Sequence, residues 1–226
     1  MTKNILKHTD VIRLISIDPG TSKLGVAVYE INLIDRSILS LKADTWLIEK
    51  LDIITHIDDF DNEDLDIRLL KIRDYLNILL NEFDPHTVVI ERPFFNRFKP
   101  GAYGAVIRVL ESICVTCLAY NNNLQFKCIS PHEVKKEASG QFSGDKSLIK
   151  EGLKNKDDLR HLPIYNKLDS LGPDTIDAIA IGYSYIKMWQ KSLQLETLHY
   201  QPPIKKIRLK KSSLKVKRKI NHEKPK

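Results

Sequence analysis

Residues 11–28 read VIRLISIDPGTSKLGVAV, and this stretch decides the fold of the chain. Its first seven residues are mostly apolar and β-branched and lack helical spacing, which predicts a strand buried on both faces. Pro19 and Gly20 then stop the strand, so Asp18 lies where the strand meets a loop. A second strand is expected to begin near Leu24.

Three further acidic residues occupy similar boundaries. Residues 87–90 form a short apolar run that ends at Glu91, and Arg92-Pro93 breaks the run. Asp174 and Asp177 follow Gly172-Pro173, a helix start signal, and open a long apolar stretch. Their spacing of three residues puts both carboxylates on one face of the predicted helix.

Each of these acids alone has an ordinary structural explanation. Asp18 could be a turn residue, Glu91 a solvated loop charge, and Asp174 and Asp177 could complement the helix dipole for about 0.3–1 kcal/mol each. Burying a charged carboxylate costs roughly several kcal/mol of folding free energy unless the carboxylate is paired or binds a metal. Four of them beside apolar segments therefore favour a shared cation site and predict a metal-dependent phosphodiesterase.

Four blocks carry a resemblance to a known family. They are ISIDPGTSKLGVAV at residues 15–28, VVIERPFF at 88–95, SPHEVKKEASGQFSGDK at 130–146 and GPDTIDAIAIGYSY at 172–185. In this order they resemble the RuvC-type Holliday-junction resolvases over roughly residues 11–189. The resemblance implies an α/β, RNase H-like fold with a mixed five-stranded sheet flanked by helices. It also implies that Asp18, Glu91, Asp174 and Asp177 are the catalytic, metal-binding acids.

The same resemblance implies further contacts with DNA. Phe94, or Phe95 in its place, falls where the family has an aromatic residue near the junction crossover. Lys135 and Lys146 keep the family's spacing of eleven residues between two basic groups, with Lys136 beside the first. Lys146 could steady transition-state charge. The alternatives are an apolar loop anchor for the phenylalanines and a solvated face for the lysines.

Carboxylates without histidine or cysteine favour hard ions, so Mg²⁺ is expected, with Mn²⁺ as a substitute. Two ions about 3.5–4 Å apart would suit phosphodiester hydrolysis. By analogy with the fold, Asp18 would bridge both ions, Glu91 would complete one shell, and Asp174 and Asp177 the other.

The positive charge of the chain is concentrated at its C-terminal end. The chain has 226 residues, 42% of them apolar, which is enough for one core. Residues 204–226 hold eleven Lys or Arg and one acid, a net charge of +10, whereas residues 1–203 hold 25 basic and 28 acidic residues, a net charge of −3. A basic, disordered tail that binds DNA phosphates is expected, and a solubilising tail or localisation signal is the alternative. The candidate DNA contacts there are Lys205, Lys206, Arg208, Lys210 and Lys211.

The chain is accordingly divided into an N-terminal extension at residues 1–10, a nuclease domain at 11–190 and the basic tail at 191–226. The apolar patterns predict strands at residues 24–33, 37–46 and 124–129, and helices at 63–83 and 102–120. Ser130-Pro131-His132-Glu133 predicts a capped helix. Residues 47–64 are expected to form a solvated acidic loop, and residues 154–170 a long polar connection.

Cys114 and Cys117 form a C-x-x-C pair within an apolar helical stretch, which favours buried thiols over zinc or redox chemistry. No secretory segment and no apolar run near 18 residues is recognised, so no membrane contact is expected. The expected location is intracellular, in the cytoplasm of a bacterium or of an infected host cell, or in an organelle or nucleus.

Symmetric cleavage of a four-way junction needs two active sites, so the resemblance implies a homodimer acting on branched DNA. The apolar residues of the 102–120 helix are candidates for its interface. Three rival functions stay open at this point. They are another RNase H-like flap or branched-DNA endonuclease, an actin-like ATPase built on residues 18–22, and a DNA-binding module without catalysis.

Overall fold

The fold was analysed in a computed structural model that describes residues 10–51, 64–93, 100–141 and 146–199. Five strands form one sheet, and they are β1 (Val11–Asp18), β2 (Lys23–Asn32), β3 (Ile38–Leu47), β4 (Thr87–Glu91) and β5 (Gln125–Ile129). The helices are α1 (Leu65–Phe83), α2 (Pro100–Tyr120), α3 (Pro131–Ser139), α4 (Lys146–Lys154) and α5 (Pro173–His199). The strand order is β3-β2-β1-β4-β5.

The sheet is mixed, as expected. β1, β2 and β3 form an antiparallel meander, and β1, β4 and β5 run parallel. The parallel connections pass through helices, because parallel neighbours cannot be joined by a tight turn. Since β1 and β4 run the same way, their carboxyl ends, which carry Asp18 and Glu91, lie at the same edge of the sheet.

A separate hydrophobic core covers each face of the sheet. Leu14, Tyr29 and Val89 pack with α3, α4 and α5 on one face, and Ile15, Val88 and Ile90 pack with α1 and α2 on the other. Strand residues therefore alternate between two buried faces, which explains why β1 and β4 read as continuous apolar runs.

The structure departs from the sequence expectations between α3 and α5. The short helix α4 was not anticipated, and residues 154–170 are not simply a polar connection. Two 3₁₀ turns, Asp157–Leu159 and Pro163–Ser170, lie in that segment, and Leu159, Leu162 and Leu168 are buried in the core of the α5 face. They are three and six residues apart, which fits the period of a 3₁₀ helix, but three leucines in a polar segment are too few to predict that structure.

α5 is also longer than expected. It continues to His199, so the boundary placed after residue 190 falls inside a helix. Residues 191–199 contain neither proline nor glycine, and the next helix breakers are Pro202 and Pro203.

By length and composition, residues 102–120 of α2 could cross a membrane, contrary to the expectation that no apolar run approaches that length. A single such helix is weak evidence for a membrane span, and 22% of the stretch is buried, with Val109, Ile113 and Cys117 fully buried against the sheet. Burial raises the pKa of the Cys117 thiol to about 12, which makes it unreactive at neutral pH. Cys114 is only half-buried.

Candidate active site

Asp18 and Glu91 lie side by side at the carboxyl edge of the sheet. Ile17 pairs with Ile90 in the parallel register of β1 and β4, so Asp18 and Glu91 are the next residues along the two strands. Side chains alternate along a strand, which puts Asp18 on the same face as Leu14 and Ser16, and Glu91 on the same face as Val89. Leu14 and Val89 belong to the core under α5. Both carboxylates therefore face the side of the sheet that α5 covers.

The first turns of α5 lie over this edge. Gly25 is the strand partner of Asp18, and a β-carbon at Gly25 would overlap the backbone carbonyl of Asp174. One turn later the Ser16 hydroxyl donates a hydrogen bond of 2.8 Å to the carbonyl of Ala178. Because Ser16 and Asp18 share a face of β1, these contacts direct the start of α5 toward Asp18. Asp174 and Asp177 lie in these same turns, and all four acids are half-buried.

β3 also contacts the start of α5. The hydroxyls of Thr45 and Thr175 are 2.6 Å apart and form a hydrogen bond between residues 130 positions apart in the chain. Thr45 pairs with Gly25, and Gly25 pairs with Asp18. The hydrogen bond between Thr45 and Thr175 is therefore level with Asp18 across the three neighbouring strands.

The predicted capped helix α3 begins at the same edge. Glu91 pairs with Ile129, the last residue of β5, and the Arg92 amide donates to the Ile129 carbonyl at 2.8 Å. Ser130 and Glu133 then form the expected capping box. The hydrogen bonds from Ser130 hold the pKa of Glu133 below its ordinary value, with a smaller contribution from the positive charge of Arg92. The Arg92 side chain is exposed beside the acidic edge.

The candidate basic residues are only partly within the described structure. Lys135 is half-buried and Lys136 is exposed, both on α3, and Lys146 is the first residue of α4. α4 packs directly on the end of α3, since a β-carbon at Gly152 would overlap the carbonyl of Ala138. Phe94, Phe95 and the tail residues Lys205, Lys206, Arg208, Lys210 and Lys211 lie outside the described residues.

The donor type at this edge fits a hard divalent cation. The two strands and the helix that meet at this edge carry four carboxylates, and oxygen is the ligand that Mg²⁺ and Mn²⁺ accept. Among the residues that the structure describes, no three acidic, histidine or cysteine side chains stand close enough together to hold an ion.

The sequence interpretation missed the residues that place α5. Ser16, Thr45 and Thr175 are ordinary polar residues within their elements, and nothing local marks them as contacts. Gly25 carried a signal, because a glycine inside a strand indicates a close backbone approach. The group that approaches Gly25 is the carbonyl of Asp174, which lies far along the chain, so the sequence does not identify it.

No protein-family model matches the sequence. A curated relative, the crossover junction endodeoxyribonuclease RuvC of Brachyspira hyodysenteriae, is 28% identical over 172 residues, which cover 76% of this chain and 91% of the relative. The resemblance to the RuvC-type resolvases is confirmed.

Two solved structures share the RuvC-type fold. Thermus thermophilus RuvC in complex with Holliday junction substrate aligns with a TM-score of 0.55 and 18% identity, covering 80% of this chain and 96% of that one. The yeast mitochondrial Holliday junction resolvase Ydc2 aligns with a TM-score of 0.56 and 15% identity, covering 81% of this chain and 82% of that one. At these identities the likeness establishes the fold.

Proposed function

We propose that this chain is a metal-dependent endonuclease, a hydrolase that nicks opposed strands of four-way DNA junctions in recombination, replication or repair. The observation that supports the proposal is the placement of Asp18 beside Glu91 at one edge of the sheet, with the start of α5, which carries Asp174 and Asp177, packed over that edge. The curated relative is named a crossover junction endodeoxyribonuclease, and one solved neighbour was captured with a Holliday junction.

The four acids would hold two Mg²⁺ ions, or Mn²⁺ in their place. Divalent ions in such a site activate a water nucleophile and neutralise charge on the scissile phosphate and its leaving oxygen. Asp18 is central in this arrangement, because it neighbours Glu91 on one side and, through Gly25, the start of α5 on the other.

The basic residues would bind and orient the DNA. Arg92 follows Glu91 directly, so its exposed guanidinium is placed to contact a phosphate beside the reacting one. Lys135, Lys136 and Lys146 belong to the two helices that pack together beside α5, and Lys146 would steady charge in the transition state. Phe94 or Phe95 would stack near the crossover, and the tail would add sequence-independent phosphate contacts.

A homodimer would supply the second active site for the opposite strand. The exposed side of α2 is the candidate interface, because Val115 and Leu118 are 66% and 47% exposed there. Arg108 and Glu111 are exposed on the same side of the helix. A two-fold axis would bring this surface against its own copy, since the same patch is used by both subunits. The proposed location of the reaction is intracellular, where branched DNA occurs.

The test compares cleavage of a synthetic four-way junction, a flap and a linear duplex, each with Mg²⁺ or with chelator. Asp18→Asn and Glu91→Gln should lose metal-dependent junction cleavage while junction binding persists. The matched control is Asp84→Asn, at the opposite end of the sheet, where the backbone is left-handed (φ 40°) and asparagine is well tolerated. It should cleave like the wild type.

The outcomes separate the competing functions. Faster cleavage of flaps than junctions would favour a broader branched-DNA endonuclease. Cleavage that survives Asp18→Asn would remove this carboxylate from the mechanism and leave a DNA-binding module as the better account.

A further inference from the structure

The hydrogen bond between Thr45 and Thr175 lies next to Asp174 in the candidate site. Thr175 immediately follows Asp174 and is 3% exposed, so water has little access to its hydroxyl. The partner hydroxyl belongs to Thr45 of β3, an edge strand that contributes none of the four acids. The bond therefore connects the acidic turn of α5 to a part of the sheet that takes no part in the chemistry.

Other hydrogen bonds hold α5 farther along its length. Ser16 donates to the Ala178 carbonyl at 2.8 Å, and Tyr29 donates to the Ile179 carbonyl at 2.6 Å. Ser184 donates to the Val134 carbonyl of α3 at 3.2 Å. These bonds fix the axis of the helix after Asp177, whereas the threonine pair acts one residue after Asp174.

We propose that Thr45 and Thr175 are positioning residues that hold the first turn of α5, with Asp174 and Asp177, at the sheet edge that carries Asp18. The proposal rests on the proposed metal-dependent function and adds the device that sets the geometry of its ligands.

A metal site tolerates only small displacements of its ligands. Carboxylate ligands on two different elements hold an ion well only when both elements are fixed to about 0.5 Å. Gly25 lets α5 approach but exerts no directional hold, since it has no side chain. The hydrogen bond between the two threonines fixes the orientation of α5, because a hydrogen bond weakens steeply when its angle departs from linear.

The experiment uses Thr45→Val, Thr175→Val and the double variant, which keep the shape of the side chains. Mn²⁺ affinity is measured by electron paramagnetic resonance of the free ion, without DNA, and junction cleavage and urea unfolding are measured in parallel. Each single variant should weaken Mn²⁺ binding about tenfold, as loss of outer-sphere support commonly does. The double variant should weaken it by the same factor and not by the product, because both substitutions remove one bond.

Urea unfolding distinguishes a role in positioning the acids from a general role in stabilising the fold. In the double variant no hydroxyl is left without its partner, so its urea midpoint should lie closer to the wild type than those of the single variants. Ser184→Ala is the matched control, because it removes a hydrogen bond from the same helix away from the acids. It should lower the urea midpoint and leave Mn²⁺ affinity unchanged. Thr175→Ser should restore Mn²⁺ affinity.

The positioning role would be overturned if both threonine variants bound Mn²⁺ as tightly as the wild type while Asp174→Asn bound it more weakly. That result would leave the proposed function standing. A wild-type protein that neither binds Mn²⁺ nor cleaves the junction would overturn the proposed function and this inference with it.

Discussion

The backbone carbonyl of Asp174 rests on the α-carbon of Gly25, and no β-carbon fits between them. Gly25 is the strand partner of Asp18, so this contact sets how near the acidic turn of α5 comes to the acid of β1. A β-carbon added at Gly25 would also lie only 3.2 Å from the β-carbon of Ala178, one turn later in α5.

Gly25→Ala should therefore abolish cleavage and destabilise the protein. The added methyl group would meet backbone rather than a flexible side chain, so α5 or β2 must shift to admit it. Junction cleavage and urea unfolding measure the two effects. Gly104→Ala on α2 is the control, since nothing lies within 4 Å of a β-carbon there and alanine favours a helix over glycine by about 1 kcal/mol. An active, stable Gly25→Ala protein would mean that the close approach is not required.

Substitution of the exposed apolar residues of α2 should disrupt the proposed dimer. Val115→Lys combined with Leu118→Lys would place two like charges at the two-fold contact, and sedimentation equilibrium should then show a monomer. Ile78→Lys on α1 is the matched control, because Ile78 is 46% exposed and lies on a different helix. A protein that stays dimeric after the α2 substitutions, or that dissociates after Ile78→Lys, would place the interface elsewhere.

The capping box of α3 should contribute stability that depends on pH. Ser130→Ala should cost about 1 kcal/mol, the usual value for loss of an N-cap. Glu133 has a lowered pKa in the folded state, so its contribution is present above the pKa of an unfolded glutamate, about 4.3, and is lost as the pH falls through the lower folded value.

The pH dependence can be isolated with Glu133→Gln, which retains a hydrogen-bonding side chain without the charge. The stability difference between wild type and Glu133→Gln, measured by urea unfolding, should be largest near neutral pH and should shrink in acid. A difference that is the same at both pH values would show that the charge contributes nothing.

Removal of residues 204–226 should weaken junction binding and flatten its salt dependence. The deletion takes away eleven basic residues and one acid, and each lost phosphate contact lowers the slope of log K against log salt by about 0.9 for duplex DNA. A chain with a scrambled tail of the same composition is the control and should bind like the wild type. Unchanged affinity after deletion would show that the tail does not contact DNA.

The positions of the four acids at the ends of strands and at the start of a helix could be predicted, because the sequence marks those boundaries. Asp18 and Glu91 end apolar runs, and Asp174 and Asp177 have the spacing of one helical face. The contact between Thr45 and Thr175 could not be predicted, since a hydrogen bond across 130 residues leaves no local pattern. The sequence also could not separate the buried and exposed sides of α2, because the helix is apolar around most of its circumference.

The structure of the connection before α5 could not be predicted for a different reason. Leu159, Leu162 and Leu168 are buried within a polar segment that forms short 3₁₀ helices, and their three-residue spacing is too brief a pattern to predict them. α5 exceeds its expected length for the converse reason, since no proline or glycine interrupts residues 191–199.

The position of α5 in the chain also affects when activity begins during protein synthesis. Asp18 and Glu91 leave the ribosome early, but Asp174 and Asp177 belong to a helix that is translated long afterwards and must dock over Gly25. A nascent chain that ends before this helix contains the five strands and two of the four acids, but it lacks Asp174, Asp177 and the helix that covers one face of the sheet. The proposed nuclease activity is therefore expected only after the helix has been made and has docked, and a fragment truncated before residue 174 should not cleave DNA.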